Sequence, residues 1–151
     1  MGSQTYTSDG GRKSVASPRP HLLLVEDDED TRELMALALA AAGFAVRTAG
    51  SGREGLARLA ESPYDLLVTD YDMPEMTGTE MLRLAVERDI VGTARPLIVT
   101  AHPSPKGTDG FPIVRKPLDL TRFVSMLRSY HTLGEQALTY PGGRTTSPYP
   151  N

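Results

Sequence analysis

Short apolar runs that alternate with helical patterns constrain the fold of this chain more than any other feature of its sequence. Five such runs, rich in Leu, Val and Ile, occupy residues 21–25, 44–48, 66–70, 96–100 and 112–115. Continuous apolar runs of this length are typical of strands that are buried on both faces of a parallel sheet. Because helical patterns separate most of these runs, the sequence predicts βαβ units, an α/β fold and helices on both faces of the sheet.

Capping residues indicate where the predicted helices begin. Pairs with the spacing of a capping box precede three helices, and these pairs are Asp30 with Glu33, Ser51 with Glu54, and Thr77 with Glu80. Asp119 begins the last helix, and Gly43 ends the first. Apolar residues at helical spacing are predicted to face the sheet, namely Leu34, Leu37, Ala38 and Ala41, then Leu56, Leu59 and Ala60, then Met81, Leu82, Ala85 and Val86, and finally Leu120, Phe123, Val124 and Leu127.

The segment 101–111 differs from the other connections because it resists helix formation. It contains two prolines and two glycines in eleven residues. Each interior proline costs a helix about 3 kcal/mol and each glycine about 1 kcal/mol. The segment is therefore predicted to be a loop.

The ends of the chain have a different composition from its centre. Residues 1–20 are rich in Gly, Ser and Thr and show no periodicity, so they are predicted to form a disordered leader. Residues 132–151 contain Gly142-Gly143 and several prolines and are predicted to form a flexible tail. Residues 21–131 are sufficient for a single domain.

Composition excludes several classes of site and partner. The chain has 151 residues and no cysteine, which excludes disulfides, thiolate catalysis and Cys-based metal centres. The net charge of −3 does not favour a nucleic-acid partner. No apolar run approaches the roughly 18 residues of a membrane span, so no membrane association is expected. These features together predict a cytoplasmic protein.

Polar side chains follow the predicted strands at the edge where parallel strands place ligands and chemistry. Glu26 and Asp27 follow the first strand, Asp70 ends the third, Thr100 ends the fourth and Lys116 follows the fifth. Taken singly, an acid there is a helix cap, a threonine is a strand former and a lysine is a solvated surface residue. Their convergence on one edge instead predicts a functional site.

The charges of these residues indicate what the site binds. Two like charges about 4 Å apart repel by about 4 kcal/mol at an effective dielectric constant near 20. A cluster of carboxylates therefore either has raised pKa values or recruits a hard divalent cation. Oxygen ligands without Cys or His point to Mg²⁺. Mg²⁺ beside Lys116 and the hydroxyl of Thr100 can stabilise a transferring phosphoryl group, with Asp70 as the nucleophile.

Four pieces of the sequence, in this order, resemble the receiver domain of two-component response regulators, of the single-domain type. They are Leu24-Val25-Glu26-Asp27-Asp28, Val68-Thr69-Asp70-Tyr71-Asp72-Met73-Pro74-Glu75-Met76-Thr77-Gly78, Val99-Thr100-Ala101 and Lys116-Pro117. The resemblance covers about residues 21–130. It implies a flavodoxin-like, doubly wound, five-stranded parallel sheet in the order 2-1-3-4-5.

The resemblance also implies roles for individual residues. Asp70 would accept phosphate from a histidine kinase or histidine phosphotransfer protein. Glu26, Asp27 and Asp70 would hold Mg²⁺, together with the backbone carbonyl of Asp72. Thr100 would move to bind the phosphoryl group, and Lys116 would pair with it.

The activity implied by the resemblance is that of a phosphorylation-activated regulator. It would signal to an unknown downstream protein through protein–protein contacts. It would not be an enzyme beyond self-phosphorylation from small donors and autodephosphorylation.

Two departures from the family pattern leave alternatives open. Ile113 occupies the switch position, where the family commonly has an aromatic residue, and the segment 101–111 stands where the fourth helix belongs, so that helix is predicted to be short or missing. These departures favour a pseudo-receiver, a binding module that phosphorylation does not control. The pair Asp70-x-Asp72 also resembles the first motif of haloacid-dehalogenase-type phosphatases, although Met73-Pro74 is unusual there.

Three further expectations concern the surroundings of the site. Thr100 and Lys116 end strands, so their side chains are predicted to be partly solvated and dispensable for stability. His102 lies near Thr100 and is a candidate to touch the water that attacks an acyl phosphate. Phosphorylation is expected to order the segment 101–111 and to create the partner-binding surface there.

Overall fold

A five-stranded parallel sheet organises the chain, as seen in a computed structural model that describes residues 18–108, 110–134, 139–140 and 144–145. The strands are β1 (His21–Val25), β2 (Ala45–Ala49), β3 (Leu66–Asp70), β4 (Arg95–Thr100) and β5 (Ile113–Arg115). The helices are α1 (Glu29–Ala41), α2 (Gly52–Glu61), α3 (Gly78–Glu87) and α4 (Leu120–Leu133). The strand order is β2-β1-β3-β4-β5, which confirms the predicted topology. A separate antiparallel pair joins β6 (Thr139–Tyr140) to β7 (Arg144–Thr145).

The central strand β3 is buried along its whole length, because helices cover the sheet on both faces. One face packs against α1 and α4 through Met35, Leu39, Phe123, Leu127 and Tyr130. The other packs against α2 and α3 through Leu56, Leu59, Met81, Leu82 and Ala85. The prediction of helices on both faces is confirmed.

The strand register brings the carboxyl ends of the strands to one edge of the sheet. Val25 of β1 pairs with Thr69, and Asp70 pairs with Val99. Thr100 pairs with Arg115 of β5. The polar residues that follow the strands are therefore neighbours in space.

The predicted inner face of α1 is wrong. Leu34 and Leu37 are 59% and 71% exposed, whereas Met35 and Leu39 are buried. The helix is rich in Leu and Ala, so stripes starting at position 34 and at position 35 both have helical spacing. The structure buries the second stripe.

The start of α1 also differs from the prediction. Asp28, rather than Asp30, is the N-cap, because its carboxylate accepts hydrogen bonds from the backbone N–H and the hydroxyl of Thr31 at 2.9 and 2.6 Å. This satisfies one of the free N–H groups at the helix start.

The other helix starts agree with the sequence in most respects. Thr77 and Glu80 form a complete capping box, and Asp119 caps α4. Ser51 caps α2, but the Glu54 carboxylate accepts from the N–H of Gly50 instead of closing a box on Ser51. Two residues predicted to face inward, Ala60 and Val86, are exposed, so the prediction is wrong for them.

The connection between β4 and β5 contains no helix in residues 101–108 and 110–112, the part of it that the structure describes. This agrees with the predicted loss of the family's fourth helix. The fourth helix in chain order is instead α4, which follows β5.

The predicted ends of the domain are only partly described. Residues 1–17 of the predicted leader lie outside the described residues. Helix α4 continues to Leu133, past the boundary predicted at residue 131, and most of the predicted tail is also outside the described residues. Within the described part of the chain, no helix has both the length and the apolar character needed to cross a bilayer.

Candidate functional site

Three carboxylates meet at the edge formed by the ends of β1 and β3. Glu26 and Asp70 are 4% and 7% exposed, and Asp27 is exposed. One oxygen from each carboxylate lies within 4.8 Å of the other two. The structure therefore brings together the acidic residues that the sequence singled out.

Lys116 enters the same cluster from the end of β5. Its Nζ lies 2.9 Å from Oδ1 of Asp70 and 3.9 Å from Oε1 of Glu26. Its backbone N–H donates to the carbonyl of Thr100 at 2.9 Å, which extends the β4–β5 ladder and fixes where the side chain starts. The side chain is 31% exposed, so the prediction of partial solvation is confirmed for Lys116.

Burial, and to a smaller extent the neighbouring acids, raise the pKa values of the two buried carboxyl groups. The pKa of Glu26 is raised to about 7, mainly by burial; the hydrogen bond from the N–H of Asp28 opposes this rise, and the charge of Asp70 contributes to it. Burial also raises the pKa of Asp70, despite its hydrogen bond with Lys116. Burial alone would lower the pKa of Lys116, but the hydrogen bond to Asp70 and the surrounding acids outweigh it and raise that pKa.

The donor set fits a hard divalent cation. All three candidate ligands offer carboxylate oxygens, which are the donors that Mg²⁺ prefers, and one lysine balances only part of their charge. The side chain of Asp72 is exposed, and its charge contributes to the raised pKa of Asp70, so Asp72 lies close to the cluster.

Thr100 is placed at the end of β4, but its side chain is buried and only 1% exposed. Its Oγ1 accepts a hydrogen bond from the backbone N–H of His102 at 2.8 Å. The prediction that Thr100 is partly solvated is therefore wrong. The residues that follow β4 place the N–H of His102 against the hydroxyl. Replacing Thr100 by Ala would remove a buried acceptor, so a neutral effect on stability is no longer expected.

Gly78 and Arg32 support the site, although no sequence pattern predicts this role for them. A Cβ atom on Gly78 would lie 2.3 Å from the backbone oxygen of Asp70, so only glycine fits where α3 begins beneath the strand end. Arg32 of α1 donates to the carbonyl oxygen of Glu26 at 2.9 Å and holds the turn after β1. Neither contact has a local sequence signal, because each partner belongs to a different element.

Tyr71 is a further residue that sequence reasoning missed. It follows Asp70 directly and is 7% exposed. Its hydroxyl accepts a hydrogen bond from the backbone N–H of Lys106 at 2.9 Å, and its ring meets the ring of His102 edge-on at 5.4 Å between centroids. An aromatic residue directly after a buried strand was the available signal, but it also fits an ordinary core residue.

The two remaining candidates, His102 and Ile113, have well-defined surroundings. Nδ1 of His102 accepts from the N–H of Ser104 at 3.0 Å, and its carbonyl oxygen accepts from Arg115. Ile113 is buried in β5 beside Ile98. The suggested contact between His102 and an attacking water stays a prediction.

Comparison with known proteins identifies the region that carries these features. The family model described as "Response regulator receiver domain" matches residues 22–128. The response regulator receiver protein CpdR of Brucella abortus is 46% identical over 68 residues, covering 45% of this chain and 57% of that protein. The transcriptional regulatory protein GlrR of Escherichia coli is 42% identical over 85 residues, which span 56% of this chain and 18% of that protein.

Solved structures have the same architecture. The chemotaxis response regulator CheY4 of Vibrio cholerae superimposes with a TM-score of 0.65 at 27% identity, covering 73% of this chain and 97% of that chain. The receiver domain of the hybrid histidine kinase CckA gives a TM-score of 0.63 at 29% identity, and the match covers 72% of this chain and 96% of that chain.

The matched relatives are longer than the regions that they share with this chain. This chain spans little more than half the length of CpdR and less than a fifth of GlrR, so the likeness concerns only part of each of these proteins. The family match includes Glu26, Asp27, Asp70, Thr100 and Lys116 within its bounds. The chain belongs to the family of response regulator receiver domains, the phosphoacceptor domains of two-component signalling.

Proposed function

We propose that this chain is activated when Asp70 accepts a phosphoryl group from a histidine kinase or a histidine phosphotransfer protein. The observation that carries the proposal is the position of the Asp70 carboxylate. It is almost completely buried, lies 2.9 Å from the ammonium group of Lys116 and is close to two further acids. A carboxylate held in this way has a fixed direction of attack.

The reaction is a transfer between two nucleophiles. A carboxylate oxygen of Asp70 forms a bond to phosphorus while the P–N bond of a phosphohistidine breaks. The electron pair of that bond remains on the imidazole nitrogen, which takes up a proton from solvent. The product on this chain is an acyl phosphate, whose charge Lys116 pairs with and to which the hydroxyl of Thr100 donates a hydrogen bond.

Glu26, Asp27 and Asp70 would hold Mg²⁺, with the backbone carbonyl of Asp72 as a further ligand. The bound ion would neutralise charge on the phosphoryl oxygens. The close approach of the three carboxylates supports this assignment, because the single ammonium group of Lys116 balances only part of their charge.

The phosphorylated domain would pass the signal to a downstream protein through protein–protein contacts.

We place the protein in the cytoplasm, since a chain without cysteine fits a reducing compartment. Catalysis by the chain itself would be limited to self-phosphorylation from small donors and autodephosphorylation.

A pseudo-receiver is the second candidate, and the aliphatic switch position favours it. Ile113 is packed in the sheet and has no ring to rotate. The ion pair between Lys116 and Asp70 argues against this alternative, since a binding module does not need it. The phosphatase alternative is not retained, because residues 22–128 match the receiver family.

The first prediction tests the phosphoacceptor directly. Incubation with acetyl phosphate and Mg²⁺ should add one phosphate to the wild-type chain, visible as a mass increase in intact-protein mass spectrometry. EDTA should prevent the labelling, and Asp70→Asn should abolish it, because the amide is not a nucleophile of comparable strength. Asp65→Asn is the matched control, since Asp65 lies at the opposite end of β3 and should not affect labelling.

Two outcomes would contradict the proposal. Undiminished labelling of the Asp70→Asn variant would show that another residue accepts phosphate. No labelling of the wild type by acetyl phosphate or by any phosphorylated histidine donor would favour the pseudo-receiver.

A further inference from the structure

The segment between β4 and β5 is tied to the molecule by the residue next to Asp70. Tyr71 lies under the segment, and its hydroxyl accepts the backbone N–H of Lys106 at 2.9 Å across 35 positions of sequence. The Tyr71 side chain is 7% exposed, whereas Lys106 is exposed, so this hydrogen bond is partly buried. Tyr71, which directly follows β3, therefore holds the backbone of the loop at Lys106.

Helix α3 fixes the same part of the loop from the side. The hydroxyl of Thr79 donates to the carbonyl of Lys106 at 2.9 Å, and Arg83 donates to the carbonyl of Gly107 at 3.3 Å. Lys106 is thus held through both its N–H and its C=O. Gly107 has a φ of +73°, a left-handed conformation that favours glycine at this turn.

A second set of contacts connects Tyr71 to Thr100. The ring of Tyr71 meets the ring of His102 at an interplanar angle of 65°, and the N–H of His102 donates to Oγ1 of Thr100 at 2.8 Å. The hydroxyl expected to bind a phosphoryl group therefore already accepts a hydrogen bond from the loop. Thr100, His102, Tyr71 and Lys106 form one continuous path of contacts.

A phosphoryl group on Asp70 would compete with this arrangement. Hydrogen bonds to an ionised phosphoryl oxygen are stronger than those between neutral groups. If the Thr100 side chain turns toward the phosphoryl group, the N–H of His102 loses its acceptor. His102 can then move away from the Tyr71 ring. This frees the Tyr71 side chain to shift and weakens the hydrogen bond that its hydroxyl accepts from the N–H of Lys106.

We propose that Tyr71 is a positioning residue that couples Thr100 to residues 102–107, so that phosphorylation of Asp70 releases this segment from its docked position. The inference rests on the proposed function and assigns the route by which that site changes the surface. It reverses the expectation from sequence that phosphorylation orders the loop, because the segment is already held by hydrogen bonds at Thr79, Arg83 and Tyr71.

The test is amide hydrogen exchange at Lys106, measured by NMR with and without beryllium fluoride and Mg²⁺ as the phosphoryl mimic. In the wild type, the mimic should raise the exchange rate of the Lys106 amide about fivefold, which corresponds to about 1 kcal/mol, the usual contribution of one hydrogen bond. Tyr71→Phe removes only the acceptor, so its Lys106 amide should exchange at the faster rate in both states.

Tyr130→Phe is the matched control. The hydroxyl of Tyr130 also makes a partly buried hydrogen bond, in which it donates to the carbonyl of Pro96 at 2.7 Å, but it lies at the other end of β4. This variant should keep the response of the Lys106 amide to the mimic. Labelling of Asp70 by acetyl phosphate is measured in every variant, so that the proposed function is tested separately from the coupling through Tyr71.

The outcomes separate the two proposals. If Asp70 is labelled and the Lys106 amide does not respond, the coupling is wrong and the proposed function stands. A response that persists in Tyr71→Phe would also overturn the role of Tyr71. Failure of the wild type to take up phosphate or the mimic would overturn both.

Discussion

At the residue scale, the buried carboxyl of Glu26 links protonation to stability. Burial raises its pKa in the folded protein to about 7 from an ordinary value of 4.5. The folded state therefore binds this proton more tightly than the unfolded state does. The resulting stabilisation is complete below pH 4.5 and is lost as the pH rises through 7.

The expected result is that the metal-free protein becomes less stable between pH 5 and pH 8, by on the order of 2 kcal/mol in the free energy of unfolding. Urea unfolding in EDTA at several pH values measures it. Glu26→Gln should weaken the dependence, because the amide does not titrate, and Asp70, whose pKa burial also raises, accounts for the remainder. Glu87→Gln, at an exposed position of α3, should keep it. Equal pH profiles for Glu26→Gln and wild type would contradict the assignment.

The residues of the site were predictable from sequence to different degrees. Glu26, Asp70 and Lys116 could be placed together because the ends of parallel strands meet at one edge, whatever the details of packing. The role of Tyr71 could not be recognised, since it depends on a hydrogen bond with Lys106, which is 35 residues away. The burial of Thr100 was also missed, because it depends on how the chain leaves β4.

At the element scale, α1 shows where periodicity alone is insufficient. Its apolar residues fit more than one stripe, and the two stripes differ by one residue, or about 100° around the helix. The sheet selects Met35 and Leu39 and leaves Leu34 and Leu37 exposed. By contrast, α3 carries a complete capping box, and its start was predicted correctly.

A matched pair of variants in α1 tests this assignment. Leu39 is 1% exposed and Leu37 is 71% exposed, yet both are leucines of the same helix, so helix propensity is equal in the two changes to Ala. Leu39→Ala should lower the free energy of unfolding by about 2–5 kcal/mol. Leu37→Ala should change it by less than about 0.5 kcal/mol. Urea unfolding gives both values, and similar losses for the two variants would contradict the observed orientation.

At the scale of the whole molecule, the acidic cluster should make stability respond to Mg²⁺. An ion that binds only the folded state stabilises it by about 1.4 kcal/mol when its free concentration is ten times the dissociation constant. The melting temperature should therefore rise with Mg²⁺, and more at pH 8 than at pH 5.5, because protons compete for Glu26.

The control for this prediction is Asp27→Asn, which removes one candidate ligand and should weaken the response to Mg²⁺. Asp27 is exposed, so the variant should otherwise fold normally. If Mg²⁺ raises the melting temperature of this variant and of the wild type equally, Asp27 is not a ligand.

The overall architecture was the most predictable property. Alternating strands and helices required a parallel sheet, and the resemblance supplied the strand order. The absence of a helix between β4 and β5, in the residues described there, followed from proline and glycine content. What could not be predicted is how that segment is held, since its partners lie on β3 and α3.

That connection has a consequence for folding kinetics. Its contacts join residues 27 and 35 positions apart, so each must close a long stretch of chain for a single hydrogen bond. They can form only after β3 and α3 are in place. The segment should therefore dock late during folding and open early during unfolding. The rate at which the surface around Lys106 changes should therefore be set by local opening rather than by global unfolding, and it can be fast in a protein whose core is long-lived.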